Sequence, residues 1–272
     1  MAKSPLLRRA SAPNAQGRVH HVTPKSAGWT YVGFEVFHLK KGETLAKSSA
    51  NNEICAVLLS GKALASVVQG GKSHSFGEIG ERKNEFEGSP WSLYAPSHAK
   101  WSLQATTDVE VAVCAAPATG KLPPRVISPQ ECGQETRGKG SNTRYVRNIL
   151  PDSGVAESLL VVEVITPGGN WSSYPPHKHD QDNLPHESLL EETYYHRFNP
   201  PQGYGVQRVY TDDRSLNETI LIQDRDVVLV PKGYHPVGAA HGYDLFYLNV
   251  MAGPKKVWKF HNDPDHEWLM AK

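Results

Sequence analysis

The sequence predicts an all-β, antiparallel protein made of two units in tandem. Short strand-like runs recur along the whole chain, each closed by Gly, Pro, Asn or Asp. Gly (23) and Pro (20) are abundant among the 272 residues, a turn-rich composition unlike that of a helical bundle. The length suits one large domain or two of ordinary size, and the two halves are punctuated alike.

In the first half the strand-like runs are residues 32–39, 53–60, 62–68, 91–95 and 109–115, each ending at a turn signal such as Lys41-Gly42 or Gly70-Gly71. Residues 118–152 shift to Pro, Gly, Lys, Arg, Thr and Asn with little hydrophobic periodicity, and are expected to be a linker crossing between the units. That divides the chain into an N-terminal domain over 1–117, the linker, and a C-terminal domain over 153–272. Strand-like runs resume at 158–166, 193–198, 206–211, 218–223, 226–230 and 245–250. The halves share a phrase, Leu93-Tyr94-Ala95-Pro96-Ser97-His98 in one and Val228-Leu229-Val230-Pro231-Lys232-Gly233-Tyr234-His235 in the other, which points to duplication. One helix is expected near the C-terminus, where Asp263 stands as N-cap before Pro264 at N1 and His266-Glu267-Trp268-Leu269-Met270 follows.

Charge and cysteine usage narrow the function classes. The formal net charge is +1, from 29 Lys plus Arg against 28 Asp plus Glu, so no excess is available for nucleic acid or an anionic membrane. No apolar run approaches the roughly 18–20 residues that span a bilayer. Arg8-Arg9 is followed by Ala-Ser-Ala-Pro-Asn rather than an apolar stretch, so no export signal is read and the expected location is the cytoplasm. Cys55, Cys114 and Cys132 are widely spaced with no CxxC pair, as expected of buried thiols rather than disulfides or a thiolate zinc site.

The 13 histidines are the informative residues. Pro175-Pro176-His177-Lys178-His179-Asp180 places two imidazoles at i and i+2, on one face of an extended segment, with Lys178 turned away. A metal site needs further ligands from neighbouring strands. Glu192 begins the run Glu192-Thr193-Tyr194-Tyr195-His196-Arg197-Phe198, and His235 follows Pro231-Lys232-Gly233-Tyr234. The candidate metal ligands are therefore His177, His179, Glu192 and His235. Glu191 replaces Glu192 if the strand parity is off by one, and His196 and His241 are further histidines in range. His186, inside the polar insertion 180–190, reads as solvated.

The order HxH, Glu, then a Pro-x-Gly segment ending in His resembles the two motifs of the cupin superfamily. That resemblance implies two antiparallel cupin (jelly-roll-like) β-barrels in tandem with a few short helices, and His177, His179, Glu192 and His235 as ligands of a divalent metal ion, zinc, manganese or iron. The HxH-to-Glu gap is expanded by residues 180–191, and His235 follows Gly233 one position earlier than in the commonest form. Together with Glu191-Glu192-Thr193-Tyr194-Tyr195-His196-Arg197-Phe198-Asn199-Pro200-Pro201 and Gly233-Tyr234-His235-Pro236-Val237-Gly238, the expanded gap is similar to the bicupin uronate isomerase family of bacterial inositol catabolism, the 5-deoxy-glucuronate isomerases.

Membership would imply a degenerate first barrel, consistent with its lack of an HxH, and a metal-bearing second barrel. The activity implied is that of an intramolecular oxidoreductase of carbohydrate metabolism, an aldose–ketose isomerase converting 5-deoxy-D-glucuronate to 5-dehydro-2-deoxy-D-gluconate. A bound cation suits that chemistry by stabilising charge on an enediolate. Glu192, Tyr194 and Tyr247 are then expected in catalysis, with His196 and Asn249 on the pocket wall. Arg208 is expected to hold the substrate carboxylate in preference to Arg197. The partner implied is a small sugar acid, and the many strand edges suggest a homo-oligomer. Two other classes share the ligand set: a metal-dependent cupin dioxygenase, which would consume oxygen, and a non-catalytic sugar-binding cupin, for which no basic stripe or helix-turn-helix pattern is seen.

Overall fold

A computed structural model describes residues 4–271 and is almost entirely antiparallel β-sheet. The chain divides into two compact units that do not follow its order. One comprises residues 11–133 and 148–161; the other takes the chain up to Ala10, Gln134–Arg147 and everything from Val162 onward.

The first of these units holds a six-stranded sheet in the order Arg125–Ile127, Ser92–Ala95, Asn52–Ser60, Val109–Pro117, Gly33–Leu39, Arg18–Val22, and a four-stranded sheet of Thr44–Ser48, Ala99–Ala105, Ala63–Gln69 and Lys72–Ile79. Alternation explains its core. Ala63, Ala65 and Val67 point inward from one sheet while Leu64 and Val68 stay exposed, and they meet Phe37, Leu39, Ile54, Leu58, Leu93 and Val111 from the other. This interior is apolar. One buried carboxylate, Glu53, accepts backbone N–H groups from Glu157 (2.8 Å), Ser158 (2.6 Å) and Leu159 (2.7 Å) and the Tyr94 hydroxyl (2.6 Å).

Most of the strand residues of a seven-stranded sheet belong to the second unit; its order is Leu7–Arg8, Val227–Val230, Glu191–Asn199, Asp244–Ala252, Leu160–Thr166, Arg144–Leu150 and Gly133–Arg137. A four-stranded sheet, Trp171–Ser172, Val237–Ala239, Tyr204–Tyr210 and Asn217–Gln223, accompanies it. Short pairs join His177–Lys178 to His261–Asn262 and Asp180–Asn183 to Glu187–Leu189.

Two expectations need correction. Residues 118–152 are not a plain linker, since Arg125–Ile127, Gly133–Arg137 and Arg144–Leu150 are strands. The edge strand Gly133–Arg137 has its first four residues exposed, so it lacks the apolar alternation by which a strand is recognised. The C-terminal helix is a 3-10 turn over Glu267–Ala271. Asp263 accepts the Asp265 N–H at 3.0 Å, but its other oxygen takes the Tyr210 hydroxyl at 2.6 Å, binding the segment to the sheet instead of starting an α-helix. Among the described residues no helix is long and apolar enough to cross a membrane.

Candidate metal centre

Three imidazoles meet inside the second unit. Ligand atoms of His177, His179 and His235 all lie within 4.8 Å of one another. Ring centroids are 6.3 Å apart for His177 and His179, 4.9 Å for His177 and His235, and 5.0 Å for His179 and His235. The i, i+2 spacing delivers the first two. Lys178 between them turns the other way, where its buried ammonium contacts Asp180 at 2.8 Å and both oxygens of Glu187 at 3.0 Å. Glu187 comes from the polar insertion, which thus pins the His177–His179 segment from behind. Asp180 also accepts the Gly233 N–H at 2.8 Å, linking that segment to the turn that carries His235. Despite the cost of burial, these contacts hold the Lys178 pKa up and the Asp180 pKa down.

The turn before His235 requires glycine. Gly233 has φ +90°, and a Cβ there would stand 2.4 Å from the Tyr210 carbonyl oxygen.

Strand parity brings Glu192 to the histidines. Its Oε2 lies 3.2 Å from His179 Nε2 and 3.2 Å from His235 Nε2, the latter without hydrogen-bond geometry. The other nitrogens are fixed: His179 Nδ1 donates to the Leu190 carbonyl at 3.1 Å and His235 Nδ1 to that of Gly233 at 2.8 Å. With Nδ1 bonded to a backbone carbonyl, each ring turns Nε2 toward the same carboxylate oxygen; His179 Nε2 is hydrogen-bonded to it and His235 Nε2 is not. His235 Nε2 is buried with no hydrogen-bond partner, in a group of three imidazoles and a carboxylate whose donor atoms lie close together, so the donor set fits a divalent ion. Burial, reinforced by the neighbouring His235 and His179, drives the His177 pKa well down. Burial also draws His235 to about 4 despite Glu192, whereas at His179 the bond to Glu192 outweighs burial and the pKa rises.

The wall beside this group is polar. Glu192, Tyr194 and His196 share a face of Glu191–Asn199, and the register Tyr194↔Asn249 and His196↔Tyr247 sets Tyr247 and Asn249 against them. Tyr194 and Tyr247 have ring centroids 5.0 Å apart, and Tyr194 exchanges a hydrogen bond with Ser173 at 2.9 Å. Burial raises the pKa of both phenols, so both stay protonated at neutral pH. His196 donates from Nε2 to Gln207 Oε1 at 3.0 Å, and burial lowers its pKa to about 3. His196 Nδ1, Gln207 Nε2 and Asn249 Nδ2 are buried without a hydrogen-bond partner, which in a folded protein calls for a polar ligand or water. Phe260 closes one side, its ring 4.7 Å from that of His177.

The remaining expectations land elsewhere. His186 and His241 are exposed. Arg197 pairs with Asp224 at 3.0 Å. Arg208, expected to meet a carboxylate beside the metal group, lies on the opposite face of its strand from Gln207, bonded to Asn217 at 3.1 Å and stacked 4.1 Å over Tyr210. Arg144, which the sequence did not single out, also comes near: its guanidinium reaches the Tyr174 carbonyl at 3.2 Å, three positions before His177. The run Arg144-Tyr145-Val146-Arg147-Asn148-Ile149-Leu150 shows no two-residue alternation, so nothing in the sequence marked it as a strand.

The sequence profile of the KduI/IolB family matches residues 6–269. The chain is 59% identical over 268 residues to the 5-deoxy-glucuronate isomerase of Geobacillus kaustophilus, covering 98% of this chain and 96% of that one. It is 51% identical over 272 residues to the protein of the same name from Halalkalibacterium halodurans, covering 98% and 99%. The crystal structure of an IolB-like protein from Salmonella typhimurium superposes with a TM-score of 0.93 at 52% identity, over 97% of this chain and 99% of that one. Oxalate decarboxylase from Lactobacillus farciminis matches with a TM-score of 0.70 at 13% identity, over 100% and 92%, a likeness of fold alone.

Proposed function

The chain belongs to the KduI/IolB family, and from that membership together with the site we propose that it isomerises 5-deoxy-D-glucuronate to 5-dehydro-2-deoxy-D-gluconate, a step of inositol catabolism. The observation that carries the reading is the convergence of the His179 and His235 Nε2 atoms on one Glu192 oxygen, in a protein 59% identical over nearly its full length to a 5-deoxy-glucuronate isomerase.

His177, His179, His235 and Glu192 would hold a divalent ion, which when bound supplies Lewis-acid polarisation of the sugar's carbonyl and adjacent hydroxyl. The rest of the work falls to the wall. Tyr194 and Tyr247, kept protonated by burial, donate hydrogen bonds to the oxygens on which negative charge develops. Their low-dielectric surroundings make those bonds stronger than in water. Glu192, the carboxylate on this wall, is suited to take the proton from one carbon and return it to its neighbour. Neutral His196, Gln207 and Asn249 offer unpartnered polar atoms to the sugar hydroxyls. An aldose–ketose exchange needs a base and charge stabilisation near two adjacent carbons, and a single strand pair, Glu191–Asn199 with Asp244–Ala252, carries Glu192, Tyr194 and Tyr247 together.

The test is product analysis. Incubating the metal-loaded protein with 5-deoxy-D-glucuronate should convert the aldehyde proton signal in NMR into that of the 2-deoxy ketose, with no oxygen uptake. Unchanged substrate, or turnover that requires oxygen, removes the isomerase reading.

A further inference from the structure

A sugar acid needs a cation at its far end, and most of the positive side chains traced above are spoken for. Lys178 contacts Asp180 and Glu187, Arg147 lies 3.4 Å from Glu163, Arg197 pairs with Asp224, and Arg208 is bonded to Asn217 on the outer face. Arg144 is different. It opens the strand Arg144–Leu150, and its Nη1 donates to two backbone carbonyls, Asn142 at 3.1 Å and Tyr174 at 3.2 Å. Among the described residues no carboxylate forms a salt bridge with it.

Alternation along the strand puts Arg144 on the face opposite Arg147, which takes Glu163. The Tyr174 carbonyl fixes the guanidinium at the start of the segment Tyr174-Pro175-Pro176-His177, and its charge is felt at His177, Tyr194 and Tyr247, all lining the metal group. Burial opposes that charge. A largely sequestered guanidinium bonded only to neutral carbonyls on one edge keeps its other edge for a planar, bidentate anion.

We propose that Arg144 binds the carboxylate of the sugar acid, so that the acid end of the substrate lies against Tyr174 while its carbonyl end reaches the group formed by His177, His179 and His235. This rests on the isomerase reading above and names the residue that selects a uronate over a neutral sugar.

Two ligands that cannot isomerise separate the contributions: 5-deoxy-D-glucuronate reduced at C1, and the same polyol with a hydroxymethyl group in place of the carboxylate. Titration calorimetry on the metal-loaded protein should show Arg144→Gln weakening the acid by about a hundredfold while the neutral polyol is unaffected. Arg144→Lys should weaken the acid less, because the charge remains and the bidentate geometry does not. Metal content should match the wild type in both variants, and Arg208→Gln should change neither affinity. Equal affinities of wild type and Arg144→Gln for the acid, equal losses for both ligands, or a selective loss in Arg208→Gln would overturn the assignment. Should Arg144→Gln fail to fold, the Arg144→Lys comparison decides on the same terms. Wild-type turnover is scored separately: an inactive wild type whose acid affinity still depends on Arg144 would remove the reaction and keep the anchor, and an active wild type indifferent to Arg144 would do the reverse.

Discussion

Glu192 serves two imidazoles with one oxygen, and its neighbour Glu191 lies on the other face of the strand, although both are buried. Glu192→Gln keeps the shape and removes the charge, so it should lower metal affinity at least about tenfold, whereas Glu191→Gln should leave metal content intact; chelator competition followed by elemental analysis reads both. His196 gives a prediction in pH. Its folded pKa of about 3 lies below the ordinary value of 6.5, so between these limits the unfolded chain binds the proton that the native state refuses. Its contribution to stability is complete above pH 6.5 and is lost as the pH falls toward about 3. Over that interval the loss should be on the order of a few kcal/mol, and denaturant titrations of His196→Gln should show a shallower decline. At this scale much of the site is legible in sequence. The HxH spacing and the parity of Glu192 follow from the two-residue period of a strand. Parity also explains why Arg208 lies apart from the histidines, since the residue bonded to His196 there is Gln207, and a charge in mid-strand carries no mark of which face it occupies.

At the scale of elements, the turn before His235 is the piece that geometry constrains most. Gly233→Ala forces a Cβ against the Tyr210 carbonyl at a φ that L residues avoid, and it should cost about 1–3 kcal/mol in denaturant unfolding together with a loss of metal affinity. The strands 53–60, 109–115 and 245–250 are plain in the sequence because both faces or one whole face are apolar; the edges Gly133–Arg137 and Asp180–Asn183 are not, because solvent covers most of their side chains. The polar insertion illustrates the limit. Nothing in Asp180-Gln181-Asp182-Asn183 says that Glu187 will return to neutralise Lys178, since that contact exists only once the hairpin has closed.

For the whole molecule, Glu53 is the group whose removal should be felt most widely. It ties residues 157–159 to a strand a hundred positions earlier, and no apolar residue can replace an acceptor for three backbone N–H groups at once. Glu53→Gln should lower the stability of its unit by about 2–3 kcal/mol in chemical denaturation, with the metal group unchanged. The interleaving of the units was not legible, because Leu7-Arg8 offers too short a run to advertise a partner more than two hundred residues away. That interleaving sets an order of events during synthesis. The unit formed by 11–133 and 148–161 has all its chain once residue 161 has emerged from the ribosome, and can close while the rest is still being made. The unit with the histidines owns the earliest residues and the last ones, so Leu7 must wait, unpaired, for Val228. A nascent chain stalled anywhere before the final strands therefore exposes an unfinished sheet edge, and this protein is most in need of a chaperone's cover late in translation rather than early.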